Sequence, residues 1–212
     1  MTNTFPPTYK LILKHLLPKG FLKVLDLGCG VGAAAEVLNK GKIHQFFGVD
    51  IYEPYLKICR RSGFYKKVTK ADLRNINFNK KSFDVVILFQ VIEHLNKKDA
   101  KKLIRKAVSV ATKAVLISVP NGHCDQGVYD GNIYNKHKST WNAADFKKMG
   151  FKVYGQGLKI IYGSRSYEGR IGASWWQKIV VPLSIILLPL VLIFPEIAVQ
   201  LIGVKYLGGA SK

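Results

Sequence analysis

From residue 21 onward, short apolar runs alternate with stretches of helical period, and this alternation restricts the fold more than any other feature of the chain. "FLKVLDLG" (21–28), "HQFFGVD" (44–50), "KVTKAD" (67–72), "SFDVVILFQV" (82–91) and "AVLISVP" (114–120) read as strands. "VGAAAEVLNKG" (31–41), "EPYLKICRRSG" (53–63), "KKDAKKLIRKAVSVA" (97–111) and "STWNAADFKKMG" (139–150) read as helices, the last capped by Ser139 or Thr140. Apolar strands separated by helices predict βαβ units and a mainly parallel sheet covered on both faces. "FKVYGQGLKIIYG" (151–163) reads as two short strands that pair antiparallel at an edge.

The opening "MTNTFPPTYKLILKHLLPKG" is broken too often by Lys10, Lys14 and His15 to read as a signal peptide. Its Leu11, Ile12, Leu16 and Leu17 fit one face of a short helix. Cys29, Cys59 and Cys124 form neither a disulfide framework nor a metal spacing, which suits a reducing compartment. With 33 Lys and Arg against 13 Asp and Glu, the 212-residue chain carries a formal net charge of +20. Such a balance draws anionic surfaces, either nucleic acid or acidic headgroups, and does not select a fold.

"VLDLGCGVG" (24–32) ends the first strand in Gly28, Gly30 and Gly32, which let the backbone turn sharply and approach a ligand at a helix N-terminus. Alone the loop also fits a dinucleotide site, with Asp50 as the ribose acid. Further acids separate these readings: Asp26, Asp50, Asp72 and Glu93 fall at the ends of successive strands, the edge where open α/β sheets bind ligands. No Lys or Arg lies between Val24 and Val37, so this edge suits a cationic ligand better than a pyrophosphate.

On "VLDLGCGVG", "GVD", "KADL", "FDVVILFQVIEHL" and "AVLISVP", the chain resembles the class I S-adenosylmethionine-dependent methyltransferases over about residues 20–163, particularly the branch containing the ubiquinone and menaquinone biosynthesis enzymes. The resemblance implies an α/β, Rossmann-like seven-stranded sheet, mainly parallel with an antiparallel edge strand, and S-adenosyl-L-methionine as cofactor. By position, it implies that Asp26 and the backbone of Gly28 and Gly30 surround the cofactor's methionine part. Asp50 would then accept both ribose hydroxyls, with Ile51 packed on the adenine. Asp72 would take the adenine amino group beside the amide of Leu73, and Phe89 and Gln90 would face the methionine end.

Methyl transfer leaves the protein to orient the acceptor and remove a proton. His94 and His137 are the candidates for that proton, with His123 nearby in sequence space. Some quinone-pathway relatives bind a divalent ion at the fourth-strand motif; here Gln90 replaces one acid, leaving Glu93 and His94, so no metal is expected. The Pro-Pro-aromatic and Pro-Cys elements of nucleic-acid base methylation are absent, so a small-molecule or lipid acceptor is favoured over nucleic acid. An RNA methyltransferase and a catalytically silent membrane scaffold are the rival readings.

The 17 residues Ile179 to Pro195 carry no charge and contain Pro182, Pro189 and Pro195. As one helix they would reach about 25 Å, short of a hydrocarbon core of roughly 30 Å. Trp175, Trp176 and Lys178 precede the run, and Lys205 and Tyr206 follow it, as interfacial anchors would. A kinked transmembrane helix, an in-plane or re-entrant helix and a dimerisation element all fit, and membrane association is favoured. The expected organisation is an N-terminal helix (1–20), a methyltransferase domain (21–163), a linker (164–178), a C-terminal apolar helical, membrane-associated segment (179–204) and a tail (205–212). The enzyme would act on a small lipophilic acceptor at the cytoplasmic face of the membrane.

Overall fold

The computed structural model describes residues 7–39, 41, 43–124, 126–128, 130–159 and 182–208. The expected linker, residues 160–163 of the expected last strand, and residues 179–181 of the apolar segment lie outside them. Strands β1 (Lys23–Leu27), β2 (Gln45–Asp50), β3 (Tyr65–Lys70), β4 (Phe83–Phe89) and β5 (Ala111–Pro120) pair in parallel. With β6 (Lys152–Leu158) and β7 (Ala198–Tyr206) they form one seven-stranded sheet in the order β3-β2-β1-β4-β5-β7-β6.

Helices α1 (Pro7–Leu16), α2 (Ala33–Leu38), α3 (Glu53–Arg61), α4 (Lys97–Val110), α5 (Ala143–Lys148) and α6 (Leu188–Ile193) accompany the sheet. Period-two alternation sorts the strand residues into two cores. Leu25, Leu27, Val86, Leu88, Val115 and Ile117 pack with α4 and α5, whereas Val24, Val85, Ile87, Ala114 and Leu116 pack with α1 and α2. Both faces of β1, β4 and β5 are therefore dry, which is why these strands read as unbroken apolar runs.

Helix α1 belongs to the core. Tyr9, Ile12, Leu13 and Leu16 are buried while Leu11 is 52% exposed, so the buried face is rotated from the one its aliphatic residues suggest. The Tyr9 hydroxyl donates to Ser118 Oγ at 2.6 Å, and this buried bond fixes the orientation. Helix α5 also starts differently: Asn142 caps it in a reciprocal box with Asp145. Ser139 instead donates to the Ile92 carbonyl and accepts from Trp141 Nε1.

The largest departure concerns the apolar C-terminal segment. Residues 182–186 and α6 are short helical pieces, and Ala198–Tyr206 is a strand, β7, that pairs antiparallel with β5 and with β6. No helix among the described residues is long and apolar enough to cross a membrane, which corrects the expected transmembrane element. The antiparallel pairings do lie at the sheet's edge, but they are made by residues 198–206 and not by two halves of 151–163. Lys205 and Tyr206 are not interfacial anchors: Lys205 Nζ donates to the Met149 carbonyl and the Tyr206 hydroxyl to the Leu16 carbonyl. Strand β7 resembles a continuation of the apolar run because both its faces are covered, Leu201 on one side and Ile202 and Val204 on the other.

Gly155 marks where this segment docks on β6. A Cβ there would lie 2.5 Å from both the Ala198 Cβ and the Val191 carbonyl oxygen. Gly155→Ala is accordingly expected to destabilise the fold by about 2 kcal/mol, through overpacking. Chemical denaturation measures it, and an unchanged midpoint would contradict the packing of α6 and β7 on β6.

Candidate active site

The strand order reverses between β1 and β4, and the loop after β1 opens at that crevice, the position where open α/β sheets take their ligands. Gly28, Gly30 and Gly32 have φ of 85°, 51° and 95°, a region costly for side chains with a Cβ. At Gly28 a Cβ would lie 2.3 Å from a Val91 methyl, whereas at Gly30 it would meet nothing within 4 Å. The first glycine is thus required by packing, and the space over the second is open to a ligand. Cys29, between them, is buried with its Sγ 3.9 Å from that of Cys59 on α3, which pins the loop from below.

Asp50 ends β2 and ties this loop in place. Its Oδ2 accepts from the Gly30 amide and its Oδ1 from the Tyr52 amide, each at 2.9 Å. Burial pushes the Asp50 carboxyl above its ordinary value, while the amides of Tyr52 and Gly30 act in the other direction. Ile51 follows directly and is half-buried.

Asp26, buried at the end of β1, accepts a 2.6 Å hydrogen bond from the Tyr65 hydroxyl of β3. Burial raises its carboxyl to about 7, against the lowering effect of Tyr65, and the nearby Asp50 adds to the rise. A cation placed here would relieve both acids, so the open space beside Gly30 suits a positively charged ligand.

Asp72 follows β3 and has a partner that sequence spacing did not assign. Arg74 Nε reaches its Oδ1 and Oδ2 at 3.0 and 2.9 Å, and the guanidinium holds the carboxyl below its ordinary value. Leu73 packs on the core beside α4. Gln90 closes β4 with φ of 56°, its amide nitrogen donating to the Ser118 carbonyl and its side chain to Ser118 Oγ. Asp26, Gly28, Gly30, Asp50 and Gln90 thus share the switch-point edge, while Asp72 stands beside them, paired to Arg74.

The second part of the site follows Gln90. A turn of 3-10 helix, Ile92–His94, buries Glu93 to 2% exposure, and neither carboxylate oxygen has a hydrogen-bond partner. Burial lifts this carboxyl to about 8, against a lowering effect of its own backbone amide. The His94 Nδ1 is likewise buried without a partner. Burial first, and His137 second, bring the His94 imidazole down to about 4, so it is neutral at pH 7.

His137 arrives from the loop after β5, its ring centroid 5.0 Å from that of His94 and its Nδ1 2.6 Å from the Cys124 carbonyl. Ligand atoms of Glu93, His94 and His137 lie within 4.8 Å of one another. To the two metal-binding groups of the fourth-strand motif the fold adds a third, and the set can hold a divalent cation or pass a proton.

Two of the three, Glu93 and His137, line a cavity of about 490 Å³ together with His123, Lys136, Ser139 and Trp141 among others. The loop forming its wall is fixed by the Glu93 carbonyl, which accepts from the amides of Lys138 and Ser139 at 2.8 and 3.1 Å. Sequence reasoning placed the proton-transfer role on the histidines. Glu93 was legible as an acid at a strand end and, with His94, as a remainder of the divalent-ion motif, but nothing in "QVIEHL" reveals that its carboxylate is buried unpaired.

A seven-stranded sheet with this order, a glycine-lined crevice at the switch point and acids on the flanking strand ends define a class I methyltransferase architecture. Residues 25–117 match the methyltransferase domain family. The match lies on the crevice half of the sheet, and the fold as a whole is that of the class I methyltransferases. It is similar to an S-adenosylmethionine-dependent methyltransferase from Archaeoglobus fulgidus, with 19% identity and a TM-score of 0.58 over 93% of this chain and 92% of that one. It is similar too to magnesium protoporphyrin IX methyltransferase from Synechocystis with bound S-adenosylmethionine, with 18% identity and a TM-score of 0.53 over 93% and 74%. The human mitochondrial arginine-hydroxylase NDUFAF5 is 38% identical over 71 residues, which cover 34% of this chain and 21% of that protein. The chain spans between 21% and 64% of the length of the first curated relatives it matches.

Proposed function

We propose that the chain moves a methyl group from S-adenosylmethionine to a small, lipophilic acceptor lodged in the cavity beside Glu93, and that the Glu93 carboxylate takes the acceptor's proton. Glu93 itself carries this reading, as a buried acid whose carboxylate has no hydrogen-bond partner, on a cavity wall four residues beyond the end of β4. The cofactor, when bound, supplies a sulfonium methyl open to in-line displacement.

Asp26, Asp50 and the Gly30 backbone suit its cationic and ribose parts, as open space bordered by two acids requires. His94, neutral at pH 7, stands beside Glu93 as a relay, with His137 at the outer end. Lipophilic character is supported by the exposed apolar residues of the 182–197 segment at the same edge of the sheet.

Incubation with methyl-labelled cofactor, quinol and phenol acceptors, and RNA tests the reading. Label is expected in an organic-extractable product. Label found only in RNA would favour the nucleic-acid reading, and cofactor binding without transfer would favour a silent scaffold.

The 4.8 Å clustering of ligand atoms favours a second reading, in which a divalent cation on Glu93, His94 and His137 holds the acceptor oxygen. On that reading, calorimetry with Mn²⁺ shows saturable binding that His137→Ala weakens by about tenfold or more. No heat of binding would leave proton transfer as the role of the cluster.

A further inference from the structure

The 182–197 segment bears one buried and one bare face. Toward the protein, Ser184 and Val191 are buried, and Leu188 and Leu192 pack against the core under α1. Outward, Leu183, Ile186, Leu190, Ile193 and Ile197 recur at intervals of three and four and are 37%, 72%, 40%, 70% and 37% exposed, with Ile185 and Phe194 beside them at 46% and 53%. Within each short helical piece such spacing puts side chains on one side, so the segment presents a stripe of exposed apolar residues across its successive pieces. Contiguous bare apolar surface of this kind marks an interaction site.

The stripe is held rigidly at the carboxyl edge of the sheet. Asn121, directly after β5, donates through Nδ2 to the carbonyls of Pro195, Glu196 and Ala198 at 3.1, 3.0 and 2.8 Å. Lys147 Nζ pairs with the Glu196 carboxylate at 3.1 Å and Lys159 Nζ reaches the Glu196 carbonyl. The one acid of the segment is thereby engaged with a lysine, and the remaining outward residues between Pro182 and Ile197 carry no charge.

We propose that this stripe is a membrane-docking face, which lies in the plane of an anionic bilayer and brings the carboxyl edge, with the cofactor crevice and the Glu93 cavity, to the lipid surface. Charge selects this occupant. The chain carries a net +20, of which residues 1–170 supply +18. A second copy seated on the stripe would bring two such charges together, whereas anionic headgroups attract them while the apolar residues enter the acyl boundary. The two helical pieces are each far shorter than a span, as an in-plane element allows. This inference stands independently of which acceptor is methylated.

Flotation of the full chain with phosphatidylcholine vesicles, with and without phosphatidylglycerol, tests it. Binding to the phosphatidylglycerol vesicles is expected, weakening as salt is raised. The double variant Ile193→Asp, Phe194→Asp is expected to lose about a hundredfold in partitioning, since two apolar contacts are replaced by charges. Unchanged cofactor affinity and unfolding midpoint in the variant show that its fold is intact. Should the double variant unfold, Ile186→Ser, a neutral change at the most exposed position, is expected to lower partitioning by about tenfold. Absence of vesicle binding by the wild-type chain would overturn the proposal, and so would binding that neither variant reduces. A salt-resistant dimer in sedimentation equilibrium that the same substitutions dissociate would assign the stripe to a second copy and overturn it likewise. A chain that docks without transferring label would leave this proposal standing and remove the methyltransferase reading, so the two fail separately.

Discussion

Asp50→Ala is expected to remove cofactor binding from the measurable range while leaving unfolding cooperative. A carboxylate that accepts two hydroxyl donors makes charge-assisted bonds worth roughly 1.5–3 kcal/mol each, so losing both weakens affinity by about a hundredfold to ten-thousandfold. A second effect acts in the same direction. Asp50 holds the Gly30 and Tyr52 amides at 2.9 Å, so its removal also releases the glycine loop that must lie against the ligand. Isothermal calorimetry with S-adenosylhomocysteine measures the loss. Asp50→Asn, which keeps one acceptor for the loop, is expected to fall between the two. Retained affinity in the alanine variant would refute the assignment of this strand end to the ribose.

Glu93→Gln is expected to lower methyl transfer by about a hundredfold to ten-thousandfold, the range for loss of a positioned proton acceptor, with cofactor affinity unchanged. Burial raises the Glu93 carboxyl to about 8, so in the unliganded chain it is largely protonated at pH 7. The wild-type rate should therefore climb toward pH 8, and the variant should lose that limb. A variant with wild-type turnover would exclude Glu93 from the chemistry.

Stability supplies a separate readout with an opposite sense from the usual carboxylate. The folded chain binds the Glu93 proton more tightly than the unfolded chain, whose carboxyl has its ordinary value. Stability from this group is therefore present at low pH and lost as pH rises through about 8. His94, held near 4, acts the other way but only below its ordinary value of 6.5, and Asp26, raised to about 7, reinforces Glu93 in the lower part of the range. Between pH 7 and 8 Glu93 dominates, and the unfolding free energy of the metal-free chain should fall by about 1 kcal/mol more in wild type than in Glu93→Gln. Parallel pH dependences in the two proteins would mean that the carboxylate has a partner in solution.

Much of the architecture was legible because it depends on local rules. The glycines after β1, the acids at the ends of β1 and β2, and the apolar runs of β4 and β5 follow from strand period and turn chemistry, and the structure gathers Asp26, Gly28, Gly30, Asp50 and Gln90 at one edge. The capping of α5 was misread by two or three residues, since serine, threonine and asparagine all compete for that role and only the fold assigned Ser139 to the Ile92 carbonyl. Asp72 shows a different limit: a strand-end position says nothing of whether a neighbouring arginine already occupies the carboxylate.

By itself the sequence determined the parallel half of the sheet, the crevice loop and the acids around it, because each is encoded within a few residues by period, glycine placement or strand termination. Tertiary structure alone decided that residues 198–206 are a strand and not part of an apolar membrane segment. Their backbone donors and acceptors are satisfied by β5 and β6, elements 40 to 90 residues away, and a covered strand and an apolar helix share one composition. The same holds for the joining of His137 to Glu93 and His94, since only the course of the loop after β5 brings an imidazole back across more than 40 residues to a buried carboxylate with no partner of its own.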